Sequence, residues 1–98
     1  MKWKRQQQEQ DGTYFFSGKF LVTRGVKSLL SDEEIKTIYV QVQNLVKVQN
    51  GIDYLVVYFH EETQQKLFFI DQLNKEMIES GEFLPKYNYC TLLLAEEY

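Results

Sequence analysis

One helix signal in this 98-residue chain is strong enough to constrain the fold predicted for the rest of the chain. Ser31 and Glu34 are spaced as in a capping box, in which each side chain bonds the other residue's backbone N–H at the start of a helix. Apolar residues then recur at three- and four-residue intervals, the period of one helix face. These residues are Ile35, Ile38, Tyr39, Val42, Leu45 and Val46. Asn50-Gly51 tolerates the left-handed conformation that ends helices. The pattern predicts one amphipathic helix from Asp32 to Val48.

The chain around this helix is typical of strands. Segments rich in aromatic and β-branched residues are separated by polar stretches, as in antiparallel sheets. They cover residues 53–60, 66–73 and 87–95, with weaker strand signals over 14–26. One helix beside several such strands makes a two-layer α+β domain. We therefore expect an α+β fold with one amphipathic helix packed on a mostly antiparallel sheet of four to five strands.

The domain organisation is simple. Residues 1–13 are polar and aperiodic, which predicts a basic-start arm that is frayed or briefly helical. Residues 14–98 have the length of a single α+β domain. Within it, Gly25 is expected to stop a strand at a bend, and residues 75–79 are expected to form one helical turn.

A single helix covers only one face of a sheet, yet the predicted strands are apolar on both faces. In the segment 53–60, alternation places Leu55, Val57 and Phe59 on one side, and Tyr54, Val56 and Tyr58 on the other. The first expectation is that the N-terminal segment or the loop over 74–86 covers the second face. The alternative is a partner protein or a second copy of the chain, because tyrosine and phenylalanine favour interfaces. The tyrosines proposed as contacts are Tyr54, Tyr58, Tyr87 and Tyr89.

Charge is distributed unevenly along the chain. Residues 1–27 carry six basic and two acidic side chains, whereas residues 28–98 carry five basic and twelve acidic ones. The acidic part would repel a phosphate backbone and favours a protein partner. Besides those four tyrosines, the residues expected to contact that partner are Glu61, Glu62, Asp71, Glu96, Glu97 and Tyr98. The alternative is nucleic-acid binding by the arm, through Lys2, Trp3, Lys4 and Arg5.

Few residues are of the types that usually catalyse reactions or bind metals. Cys90 is the only cysteine, so it makes no intramolecular disulfide or zinc site, and we expect it to be buried in a strand of a cytoplasmic protein. His60 is the only histidine and is expected to be exposed at a hairpin, without a nucleophile or a second ligand. Phosphate-binding loops, metal-binding patterns and nucleophile elbows are absent from the sequence, as is the run of about 20 apolar residues that spans a membrane. We therefore expect no enzymatic activity, no cofactor, no metal and no membrane association.

Three segments resemble a known family. They are residues 19–26, with Thr23-x-Gly25-Val26, residues 68–71, with an aromatic-x-Ile-Asp pattern, and the C-terminal Ala95-Glu96-Glu97-Tyr98. Together they resemble domain of unknown function 3768, a family of small bacterial proteins found on plasmids, phages and other mobile elements. The resemblance is discontinuous over residues 18–98, and the family's acidic, histidine-containing loop after the helix is here only a short link.

The resemblance implies a genetic setting rather than an activity. Combined with the acidic composition and the surplus of aromatic residues, it favours a non-catalytic interaction module of a phage or mobile element. Its concrete form would be an inhibitor of a host defence nuclease, like an anti-CRISPR protein, that acts by binding and occlusion. The alternative is a nucleic-acid-binding accessory protein of a mobile element that uses the basic arm.

Overall fold

The computed structural model describes residues 1–98 and confirms the α+β class. Two short 3₁₀ turns, at Pro85–Tyr87 and Ala95–Glu97, flank the last strand. In chain order the main elements are β1 (Trp3–Arg5), β2 (Lys19–Val22), α1 (Arg24–Leu29), α2 (Asp32–Gln49), β3 (Leu55–His60), β4 (Lys66–Asp71), α3 (Lys75–Ser80) and β5 (Tyr89–Leu94).

The central helix α2 starts and ends where its sequence signals predict. Ser31 Oγ accepts a hydrogen bond from the Glu34 N–H at 3.1 Å, and Glu34 Oε1 accepts one from the Ser31 N–H at 2.9 Å. This reciprocal capping box satisfies two backbone donors that a helix start leaves without partners. Asn50 ends the helix in the left-handed conformation, with φ 55°, and Gly51 follows at φ 108°.

The five strands form one sheet in the order β1-β3-β4-β5-β2. β2 pairs with β5 in parallel, and the other three pairs are antiparallel. β3 and β5 are both antiparallel to β4, so β2 and β3 point the same way. Since parallel strands need a crossover between them, α1 and α2 form that connection.

The core lies between α2 and the sheet face that we call the inner face. Buried residues of α1 and α2 join the inner-face side chains in one apolar cluster. The inner-face residues without any exposure are Val56, Tyr58, Leu67, Phe69, Cys90 and Leu92. The alternation predicted for the strands is thereby confirmed, and so is the burial of Cys90.

The N-terminal segment differs from the frayed or helical arm that was predicted. Trp3–Arg5 forms the edge strand β1, which pairs antiparallel with β3. Trp3 is only 4% exposed, and its ring meets the His60 ring edge-on at a centroid distance of 4.9 Å. Burial of this large aromatic side chain stabilises a strand that polar composition alone would not predict.

The segment around Gly25 also differs from prediction. Gly25 is the second residue of helix α1, because the Thr23 hydroxyl caps this helix by accepting a hydrogen bond from the Val26 N–H at 3.3 Å. Upstream, Tyr14 makes only an isolated bridge to Ile52, so the strand that was expected over 14–26 shrinks to β2. The helical turn predicted over 75–79 is confirmed as α3.

Candidate functional site

The sheet face that points away from α2, which we call the outer face, is apolar and has no helix packed on it, although the C-terminal Tyr98 ring lies 5.8 Å from the Phe68 ring there. Residues directly opposite each other in a ladder point to the same side, so the register places Val57, Phe68 and Leu93 in one row across β3, β4 and β5. Each outer-face apolar side chain is half-buried, neither fully buried nor fully exposed. The outer-face residues are Leu21, Leu55, Val57, Phe59, Phe68, Ile70, Tyr89, Thr91 and Leu93.

The N-terminal segment and helix α3, which begins the second segment expected to cover this face, both lie elsewhere. The N-terminal segment runs beside β3 in the plane of the sheet, and Gln8 Nε2 donates to the Leu55 carbonyl at 2.7 Å. Helix α3 is tied to the loop before β2 by the Lys75 N–H, which donates to the Thr13 carbonyl at 2.9 Å, and buries none of its residues.

The total exposed area is somewhat above the average for a chain of this mass. The chain exposes 6436 Å². A folded monomer of 11.7 kDa exposes roughly 5900 Å² according to the scaling of surface with mass. The excess belongs to the whole molecule, which is elongated, at 42 × 26 × 22 Å.

The charged side chains rooted on the outer face are all lysines. Lys4 and Lys66 flank Phe59 in one row, and Lys19 lies opposite Tyr89 at the other end. All three lysines are exposed. The outer face therefore consists of an apolar centre with a basic rim.

The four predicted tyrosine contacts do not share a face. Tyr58 lies on the inner face without exposure, its hydroxyl donates to Gln41 Oε1 at 2.7 Å, and burial raises its pKa to about 12. Tyr89 lies on the outer face, whereas Tyr54 and Tyr87 are exposed outside the strands. Tyr58 is thus wrong as a contact residue, and the outer face is mostly aliphatic.

Asp71 is a buried internal group, so its assignment as a partner contact is wrong. It is 3% exposed, and its carboxylate accepts hydrogen bonds from the N–H groups of Phe16 at 2.9 Å and Gln72 at 3.0 Å. Burial raises its pKa to about 6, against the opposing effect of these two bonds. Phe16 has φ 49°, and its carbonyl accepts from Gln43 Nε2 at 2.6 Å. Asp71 and Gln43 thereby hold Phe16, a buried residue, in a strained backbone conformation.

Glu97 joins two of the three segments that resemble the mobile-element family. Its Oε1 accepts hydrogen bonds from Thr23 Oγ1 at 2.7 Å and from the Leu94 N–H at 2.8 Å, and these bonds lower the pKa of Glu97. A Cβ on Gly25 would lie 2.6 Å from Glu97 Oε2, so a larger residue there would push the Glu97 carboxylate aside. The Thr-x-Gly-Val segment and the C-terminal segment therefore form one structural joint.

The remaining acidic candidates meet at the β3–β4 hairpin. Glu96 Oε1 accepts from Gln65 Nε2 at 2.9 Å, and the Tyr98 ring lies 5.8 Å from the Phe68 ring. In the same hairpin, Glu61 pairs with Lys4 at 3.4 Å and Glu62 pairs with Lys2. The structure thus brings together acidic and basic candidates from both predicted sets, and two of the acids are neutralised by lysines of the N-terminal segment.

The other singled-out side chains have local partners. His60 is half-buried rather than exposed, and its Nδ1 accepts from the N–H groups of Glu62 and Thr63 at 3.2 Å. Burial, followed by the charge of Asp71, raises the pKa of Cys90 to about 12. No three His, Cys, Asp or Glu side chains are grouped closely enough to hold a metal ion. None of the helices has the length and apolarity needed to cross a membrane.

The aliphatic outer-face residues are the ones that sequence reasoning missed. The alternation had already marked Val57 and Leu93 as apolar, but the tyrosines were preferred because of their interface propensity. Comparison of the chain with protein-family models, curated proteins and solved structures found no match.

Proposed function

We propose that this chain is a non-catalytic interaction module that binds a protein partner on its outer face. The observation that carries the proposal is the row of half-exposed apolar side chains centred on Val57, Phe68 and Leu93. Removing apolar surface from water is worth about 25 cal/mol per Å² before the costs of association. Those costs are roughly 4–15 kcal/mol, so the partner's matching surface has to contribute as well.

The basic rim indicates the partner's chemistry. Lys19 and Lys66, which make no ion pair in the fold, are complementary to an apolar patch that is bordered by acidic side chains. A second copy of the chain offers the same lysines and no acidic side chain on the strands of its own outer face, so it is the less complementary partner. We therefore assign the outer face to a different protein rather than to self-association.

The resemblance to a mobile-element family supports a host protein as this partner. An inhibitor of a host defence nuclease, acting by occlusion, remains the concrete form of the proposal. Nucleic-acid grooves of nucleases are basic, so a basic-rimmed face matches a protein-contact surface of the target better than its nucleic-acid groove. The expected mode is thus interference with assembly or movement of the target, rather than mimicry of its nucleic acid.

Site-specific photo-crosslinking tests the docking surface. Phe68 is replaced by p-benzoylphenylalanine, and the protein is irradiated in bacterial cells that carry an active defence nuclease. We expect one discrete adduct with another protein, identified by mass spectrometry, because position 68 lies at the centre of the face. The same replacement at Val40, an exposed position on α2, is the matched control and should give no such adduct.

Binding of the purified partner then decides the proposal. Val57→Lys should weaken binding at least 100-fold, because it introduces a charge into the desolvated centre of the face. Val40→Lys should leave binding unchanged. Adducts with a second copy only, no discrete adduct, or equal binding by Val57→Lys would contradict the assignment. For the inhibitor form, cells whose nuclease targets a phage should gain plaques with the wild-type protein and lose them with Val57→Lys.

Nucleic-acid binding by the N-terminal segment remains the second prediction. The structure leaves little of the segment free for it, because Trp3 is buried and Lys2 and Lys4 pair with glutamates. A gel shift at two salt concentrations tests this function, since phosphate contacts weaken steeply with salt. A shift at low salt that Arg5→Glu abolishes would favour it over the protein-binding proposal.

A further inference from the structure

A groove runs between the edge strand β1 and helix α2, separate from the outer face. Its volume is about 570 Å³, in the range of ligand-binding clefts. Trp3 and Arg5 line it from the strand, and Leu45 and Val48 line it from the helix. Val48 is 83% exposed, which is unusual for an aliphatic residue on a packed helix. The groove therefore offers an apolar wall beside an open strand edge.

The backbone at this edge has unused hydrogen-bonding groups. The Gln6 N–H donates to the Val57 carbonyl at 2.8 Å, and the Glu61 N–H donates to the Lys2 carbonyl at 3.0 Å. In an antiparallel ladder, alternate residues of an edge strand bond to the neighbouring strand. Lys2, Lys4 and Gln6 thus face β3, while Trp3 and Arg5 direct their N–H and C=O groups outward. An added strand has two donors and two acceptors to pair with.

The charge of the groove selects among possible occupants. Arg5 lines it with its side chain on the α2 side, and none of its lining residues is acidic. Arg5 makes no ion pair in the fold, so its charge is free for a ligand. A second copy pairing through its own β1 would bring a second Arg5 to this edge and no acidic side chain of that strand to meet it. An acidic segment has the complementary charge.

We propose that the free edge of β1, with the groove behind it, binds an extended acidic peptide segment of another protein by strand addition. The segment pairs with the backbone of Trp3 and Arg5. The side chains on its α2 side place an apolar group against Leu45 and Val48 and a carboxylate near Arg5, because Arg5 points to that same side. Strand addition of this kind takes affinity from main-chain bonds and specificity from the pockets for alternate side chains. This site is independent of the outer face and goes beyond the function proposed above.

The probe for this site is a fluorescein-labelled octapeptide, Val-Thr-Glu-Thr-Val-Thr-Glu-Thr, which places Val and Glu on one side of a strand and Thr on the other. We call it the Val–Glu peptide. The full-length protein is titrated into it and followed by fluorescence anisotropy, and the charge control is the Val–Lys peptide, in which Lys replaces each Glu. We expect the Val–Glu peptide to bind at least tenfold more tightly than the Val–Lys peptide. Emission from Trp3, the only tryptophan, should shift on binding, and hydrogen exchange of the Trp3 and Arg5 amides should slow.

Matched variants locate the binding site. Arg5→Glu and Val48→Asp should each weaken Val–Glu binding at least tenfold, and both residues are exposed, so folding should be retained. Lys36→Glu, an equal charge reversal on an exposed residue of α2 outside the groove, should bind as the wild type does. No binding at 1 mM peptide, equal binding of both peptides, or equal losses from Arg5→Glu and Lys36→Glu would overturn the proposal. Protection of other amides instead of those of Trp3 and Arg5 would also overturn it.

Discussion

At the scale of single residues, two carboxylates that resembled contact groups make hydrogen bonds to other residues of the fold. Asp71 holds the Phe16 backbone, and Glu97 holds Thr23 and the turn after β5. A buried carboxylate that accepts backbone hydrogen bonds satisfies donors that would otherwise lack partners. The fold therefore explains why both positions are acidic, and the aliphatic residues of the outer face are the better candidates for a binding surface.

The buried Asp71 carboxyl should make stability depend on pH. Its pKa rises from 3.8 in the unfolded chain to about 6 in the fold, so the fold favours the protonated form. The resulting stabilisation is fully present below pH 4 and is lost as the pH rises through 6. Two pK units correspond to about 3 kcal/mol. We expect Asp71→Asn to remove this component of the free energy of unfolding.

Urea denaturation of both proteins at pH 4 and pH 7 measures the effect. The stability of the wild type minus that of Asp71→Asn should be lower by about 2 kcal/mol at pH 7 than at pH 4, because part of the stabilisation is already lost at pH 4. Subtracting the variant cancels the other titrating groups. The same difference at both pH values would show that Asp71 titrates normally.

At the scale of elements, helix α2 has the clearest local sequence signals. Removal of a serine N-cap costs about 1 kcal/mol, because the Glu34 N–H loses its acceptor. Ser31→Ala should therefore lower the free energy of unfolding by about 1 kcal/mol in urea denaturation. Ser28→Ala, at an exposed serine of α1 that makes no side-chain hydrogen bond, should change it by less than 0.5 kcal/mol. Equal effects of the two substitutions would mean that the capping box does not stabilise the fold.

At the scale of the whole molecule, the sheet has one face packed against helix α2 and one face without a helix. Two neighbouring residues of β5 lie one on each face. Leu92 is fully buried, and Leu93 is half-exposed. Truncation of a buried leucine costs about 2–5 kcal/mol, because transfer free energy is lost and a cavity remains. Leu92→Ala should therefore destabilise the protein by 2–5 kcal/mol, whereas Leu93→Ala should cost about 1 kcal/mol or less.

Urea denaturation of the isolated protein measures both costs under one condition. Equal costs for the two variants would indicate that the outer face is covered in solution. The comparison needs no knowledge of the partner, so it checks the two-faced sheet separately from the proposed function.

The sequence by itself determined the features that depend on nearby residues. The capping box at Ser31, the Asn50-Gly51 stop and the alternation within each strand are local patterns, and all three appear in the fold. Tertiary structure decided what depends on residues distant in sequence. Trp3 forms a strand because β3 and His60 lie beside it, and Asp71 is buried because Phe16 needs an acceptor. Alternation showed two apolar faces, but only the crossover through α1 and α2 decided which face is left open, because strand pairing and helix packing are long-range.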